Sequence, residues 1–243
     1  MTPQANSAAL STADLRPFMR WLVGLAGLAG LVVLARQSPP GSIIHQIAVA
    51  PFRAMADAPE MEGDLEGVVR ILAENRWPWR LHATYDETIS RALDVFEKVD
   101  KDVPLKGLNW FFDHAETISE RSIDRIAALG GGVAVQHRMA YQGEYFVERY
   151  GAAAAEATPP VARLLDKGVR TSAGTDATRV ASYNPWVALA WMVTGRTVGG
   201  LRITPQRNCI DRETALRMMT EKVTWFSNEE GKKARSPPVS SPT

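Results

Sequence analysis

Residues 111–139 read FFDHAETISERSIDRIAALGGGVAVQHRM, and the reading of this stretch decides the fold. Two apolar runs flank a segment of helical spacing, and each run leads into a histidine, His114 in the first case and His137 in the second. Thr117 with Glu120 three residues on makes a capping box, and Gly130 supplies a C-terminal stop, so the middle segment is expected to be a helix. The flanking runs are short, apolar and bounded by turn residues, which suits buried strands. Strand, helix and strand at this spacing imply a parallel pair joined by a right-handed crossover.

The same alternation extends outward. Upstream, MEGDLEGVVRILAENRW places Leu65, Val68, Val69 and Leu72 on one helical face and stops at Trp77-Pro78. WRLHA then reads as a strand ending at His82, and DETISRALDVFEKVD as a helix with carboxylates in its first turn. Downstream, TPPVARLLDKG reads as a helix capped by Thr158 and stopped by Gly168, VRTSAGTDAT as a further strand, and Asn184-Pro185 as the start of another helix. DRETALRMMT gives one more helix before the polar tail ARSPPVSSPT, which lacks the apolar residues needed for a core. Strands are expected near 79–82, 108–113, 132–137 and 169–175. In a parallel sheet, functional side chains gather at the C-terminal strand ends. His82, His114, His137 and Asp176 all fall there, so they are expected to share one mouth.

Composition bounds the function. The chain has 243 residues, 45% hydrophobic and 23% charged, with a formal charge of +1, which supports a sizeable core. No basic stripe announces nucleic acid. Cys209 is the single cysteine, so no internal disulfide or thiolate metal site is expected, and it reads as a core or loop residue. An uncharged run from Trp21 to Ala35 lies between Arg20 and Arg36. It is shorter than the roughly 20 residues a bilayer span needs. A cytoplasmic protein is therefore expected, with a membrane anchor through residues 21–35 or export as the alternatives. His45 stands alone and reads as structural. No P-loop, no G-x-G-x-x-G after a strand and no G-x-S-x-G elbow is present.

Imidazoles with a carboxylate are the donor set that suits zinc and related divalent ions, and a bound ion of this kind lowers the pKa of water to about 7. Asp176 is placed to accept that water's proton and pass it on. His137 is a candidate for orienting substrate. Tyr85, Arg138, Tyr141 and Arg179 are candidates for lining the mouth, and the two arginines suit an acidic substrate group or ordinary salt bridges. Asp86 and Glu116 fit either a role behind the histidines or helix N-terminal charge.

The ordered motifs RLHATYDET, FFDHAE and AGTDAT…NPW resemble the second half of the metal-dependent amidohydrolase superfamily, most of all the branch called amidohydrolase family 3, over roughly residues 60 to 230. The resemblance implies an α/β fold, a partial (β/α)8 TIM barrel of about strands five to eight with their helices. It also implies a divalent metal, zinc above all, and hydrolysis of non-peptide carbon–nitrogen bonds in a small molecule through a metal-activated water. By the same resemblance His82 and His114 match metal ligands and Asp176 the proton-transferring aspartate. The His-x-His pair that opens the family's barrel is missing, since none of the four histidines forms it. Residues 1–58 are therefore expected to be an apolar, irregular segment, 59–232 the partial barrel and 233–243 a disordered tail. A truncated, non-catalytic remnant is the alternative to an active hydrolase. An open sheet edge implies self-association.

Overall fold

The computed structural model describes residues 47–49 by their backbone, and residues 61–177 and 181–232 in full apart from the Met61 side chain. These residues belong to one compact unit spanning Gln46–Thr243. Five parallel strands form one sheet in the order β1 to β5: β1 (Ile47–Val49), β2 (Trp79–Ala83), β3 (Trp110–His114), β4 (Gly132–Gln136) and β5 (Arg170–Gly174). Among the described residues each strand pairs with its neighbours in sequence, which is the arc of an α/β barrel. The four expected strands are present within two residues of their expected ends. β1 is additional, and it lies inside the stretch expected to be irregular.

Helices fill the crossovers: α1 (Met61–Glu74), α2 (Asp86–Asp100), α3 (Glu120–Leu129), α4 (Met139–Tyr150), α5 (Ala152–Ala155) and α6 (Val161–Asp166). After β5 come α7 (Pro185–Thr194), α8 (Arg212–Met219) and α9 (Val223–Phe226). Three starts differ from expectation or confirm it in detail. The first residue of α3 is Glu120 itself, and the cap is Ser119, whose side chain accepts from the Ser122 amide at 3.2 Å. Thr117 instead receives the Asp86 amide. Pro160 precedes α6, and Thr158, expected to cap it, turns its hydroxyl back to the Ala155 carbonyl. Asn184 does cap α7, accepting from Trp186 at 3.0 Å.

The helix α4 had no counterpart in the sequence reading. It carries Gly143 at its middle, where a Cβ would lie 2.6 Å from Ile203 Cδ1 and 2.9 Å from Thr197 Cγ2. Glycine weakens a helix by about 1 kcal/mol relative to alanine, and here it permits close packing on the segment after α7.

One face of the sheet packs on the helices. Trp79, Leu81 and Ala83 of β2 and Trp110 and Phe112 of β3 are buried there. Trp110 meets Phe96 of α2 edge-on at 5.0 Å, and Phe96 stacks on Phe112 at 5.6 Å. The alternate residues, Arg80 and His82 of β2, Phe111 and Asp113 of β3 and Ala134 of β4, point to the other face. Phe111 joins Trp225 and Phe226 of α9 in a separate small cluster. This alternation sets up the site.

Candidate functional site

His82 sits on the second face, opposite Asp113 in the strand register. Strict alternation would send His114 back toward the helices with Phe112. The backbone breaks the pattern: His114 has φ of 78° and Ala115 φ of 47°. The Ala115 amide donates to the Asp113 carbonyl at 3.2 Å as well as to Ala83 at 2.9 Å, so a γ-turn-like bend closes over His114. The bend brings the His114 ring to 4.3 Å from the His82 ring, centroid to centroid and edge to face. Positive φ in residues other than glycine costs of order 1–3 kcal/mol and collects at functional sites. Asp176, two residues past β5, has φ of 49° and is exposed.

Burial holds the His114 imidazole down at about 4, helped by the positive field of His82 and opposed by Asp176 and Gln136. His114 is therefore neutral at neutral pH, the form that ligates a metal. Asp113 is buried and accepts from Arg80 Nε at 2.8 Å. Burial raises its proton affinity, while Arg80 and His82 pull it down. Asp176 acts on Asp113, His114 and Glu116, so it stands within electrostatic reach of the end of β3. Two imidazoles and a neighbouring carboxylate are donors that zinc accepts. Among the described residues no group of three His, Cys, Asp or Glu is arranged to hold an ion. The residues present fit part of a ligand shell.

The remaining candidates divide. Glu116 is 2% exposed, with Oε2 3.6 Å from Arg138 Nη1, and burial raises its proton affinity. Arg138, half-buried, also donates from Nε to Gln142 at 2.9 Å. His137 is 1% exposed and packs edge-on to Tyr141 at 5.7 Å, so its ring offers no surface to a substrate. Neither of its nitrogens makes a well-formed hydrogen bond, although the Gly174 backbone lies close enough to favour the charged ring. Tyr85 and Tyr141 are exposed. Asp86 accepts the Ser119 amide at 2.8 Å and ties the loop after β2 to the loop after β3, so it braces loops rather than a histidine. Arg179 lies outside the described residues, as does the apolar run 21–35. Among the described residues no helix is long and apolar enough to cross a membrane. Cys209 is half-buried, its thiol pushed up by burial.

Arg80, Asp113 and Gln136 were missed by sequence reasoning. Asp113 adjoins His114, but only the strand register puts it beside His82, and only the fold pairs it with Arg80, 33 residues away. A cavity of about 590 Å³ lies at the opposite end of the sheet, between the start of β5 and α9, lined by Arg170, Thr171, Lys222, Trp225 and Glu230. It is remote from the histidines.

Solved structures share this fold. An uncharacterised metal-dependent hydrolase from Pyrococcus horikoshii OT3 is 19% identical with a TM-score of 0.58, covering 78% of this chain and 39% of its own. A similar hydrolase from Pyrococcus furiosus is 20% identical with a TM-score of 0.58, over 73% and 35%. The zinc-complexed atrazine chlorohydrolase TrzN from Arthrobacter aurescens TC1 is 17% identical with a TM-score of 0.53, over 84% and 44%. The chain thus spans less than half the length of these neighbours. No curated protein matches it. The model of the amidohydrolase family matches residues 31–235, and with the parallel α/β arc this places the chain in the amidohydrolase family, as part of its TIM barrel.

Proposed function

We propose that this chain carries part of the active site of a metal-dependent hydrolase that cleaves a non-peptide carbon–nitrogen bond in a small molecule. The observation that carries the reading is the meeting of His82 and His114 at 4.3 Å, produced by a backbone bend that strand geometry alone would not make. His82 and His114 would hold the ion, for which zinc is the proposal because imidazole suits it. When bound, such an ion lowers the pKa of water and polarises a carbonyl. The protein's own groups do the rest. His114 stays neutral because it is buried. An Asp176 carboxylate oxygen takes the proton of the attacking water and delivers it to the leaving nitrogen. Tyr85 and Arg138, and Arg179 from outside the described residues, line the mouth. His137 packs against Tyr141.

A second reading, a non-catalytic remnant that folds by association, draws on the lack of a three-residue ligand group among the described residues. Nucleic acid is no partner in either reading, given the balanced charge. The test is hydrolysis of a panel of amides and cyclic ureides by the purified chain supplied with zinc. The hydrolase reading expects turnover that a chelator abolishes and fresh zinc restores. Turnover unaffected by chelation, or none with any compound, contradicts it.

A further inference from the structure

Arg138 directly follows the residue after β4, and two neighbouring side chains hold its guanidinium. Nε donates to Gln142 Oε1 at 2.9 Å, and Nη1 lies 3.6 Å from Glu116 Oε2, an ion pair just beyond hydrogen-bond length. Its side chain is 31% exposed, whereas the Glu116 side chain beneath it is 3% exposed and has an Oε1 with no partner. Arg125 is the opposite case, an arginine spent on protein partners: it bonds Asp94, Glu97 and Ser90 through all three nitrogens. Among the described residues nothing pairs with Arg138 Nη2, and the charge of Arg138 reaches His114.

A planar cation braced by two neighbours, with an unpaired Nη2 among the described residues and His114 within reach of its charge, suits the bidentate recognition of a carboxylate. Bracing matters because a held side chain loses little freedom on binding. We infer that Arg138 anchors a carboxylate borne by the substrate, with Glu116 and Gln142 as its positioning residues. Resting on the hydrolase reading, this narrows the substrate class to small amides with an acid group near the scissile bond. In the reaction, water adds its hydroxyl to the carbonyl carbon, the C–N bond breaks, and the water's proton goes to nitrogen, giving a carboxylic acid and an amino acid.

The experiment compares N-acetyl amino acids with the same compounds as neutral methylamides, using the full chain. KM and kcat are measured with zinc, and dissociation constants are measured by calorimetry without it. The acids are expected to bind at least about tenfold more tightly than the methylamides. Arg138→Ala is expected to weaken the acids alone, by roughly ten- to a hundred-fold, mainly in KM. Arg138→Lys, which keeps the charge without the fork, is expected to retain part of the preference. Equal binding of acid and methylamide, or an Arg138→Ala loss that is the same for both, overturns the inference. Turnover without carboxylate preference would overturn the anchor and leave the hydrolase reading standing. Preference in calorimetry without turnover would support the anchor and count against the hydrolase reading.

Discussion

Trp110 and Phe112, at the start of β3, lie in a dense cluster with Trp79 and Phe96, whereas Asp113 and His114 at its end carry an ion pair, a left-handed backbone and a ring held against a second imidazole. The first part follows the period-two rule of a strand and the second departs from it. A five-residue strand thus contains both a packing element and a functional one. The unpaired buried atoms do not follow this division: Glu116, Gln136 and His137 at the ends of β3 and β4 leave side-chain atoms without partners, and so do the indole nitrogens of Trp79 and Trp110 in the aromatic cluster, where buried groups are normally satisfied. The difference teaches that stability and chemistry are allotted to opposite ends of the sheet.

Mutations can break or sharpen that division. The largest effect is expected at the packing end, where Trp110→Ala should lower unfolding stability by about 3–5 kcal/mol in denaturant melts. A loss below about 1 kcal/mol would deny the aromatic cluster its role. Gly143→Ala comes next, at about 1–3 kcal/mol, because its Cβ must push Ile203 and Thr197 aside. If the variant were instead stabilised, the packing of α4 would be looser than described.

At the mouth the effects on stability are smaller and of different kinds. His137 is held below its ordinary value of 6.5, with burial the largest cause. As pH falls through about 6.5, the unfolded chain takes up a proton that the folded ring resists, so stability drops. His137→Leu removes that contribution, and its stability should fall less than the wild type's between about pH 7 and pH 5. Parallel slopes for the two proteins would contradict the buried, neutral ring. The smallest change is expected for His114→Gly, within about 1 kcal/mol of the wild type, since relief of the positive φ offsets the lost contacts. A loss as large as that of Trp110→Ala would make His114 a packing residue after all.

Much of this was legible in the residues. The strands ending at Ala83, His114, Gln136 and Gly174 are visible because each is a short apolar run bounded by polar or turn residues. The placing of three histidines and Asp176 at strand ends follows from the same spacing. The rest depends on tertiary contacts. α4 escaped because Gly143 reads as a breaker until Ile203 and Thr197 are seen against it. Ser119 replaced Thr117 as the cap because Thr117 is engaged by Asp86 across the loop. The His114 bend leaves no periodic signal, since the reversed φ angles of His114 and Ala115 fall at the very end of the strand and leave the pattern before them unchanged. The exclusion of His137 from the surface likewise comes from Tyr141 and the core, which the strand-end position does not reveal.

The most direct test of the central claim is the zinc content of the purified chain, by elemental analysis, beside that of His82→Ala and His114→Gly. The account predicts about one ion per chain in the wild type, lost in both variants while their folded signal persists. Zinc that stays bound in either folded variant, or a folded wild type that takes up none, would contradict the assignment of these two histidines as ligands.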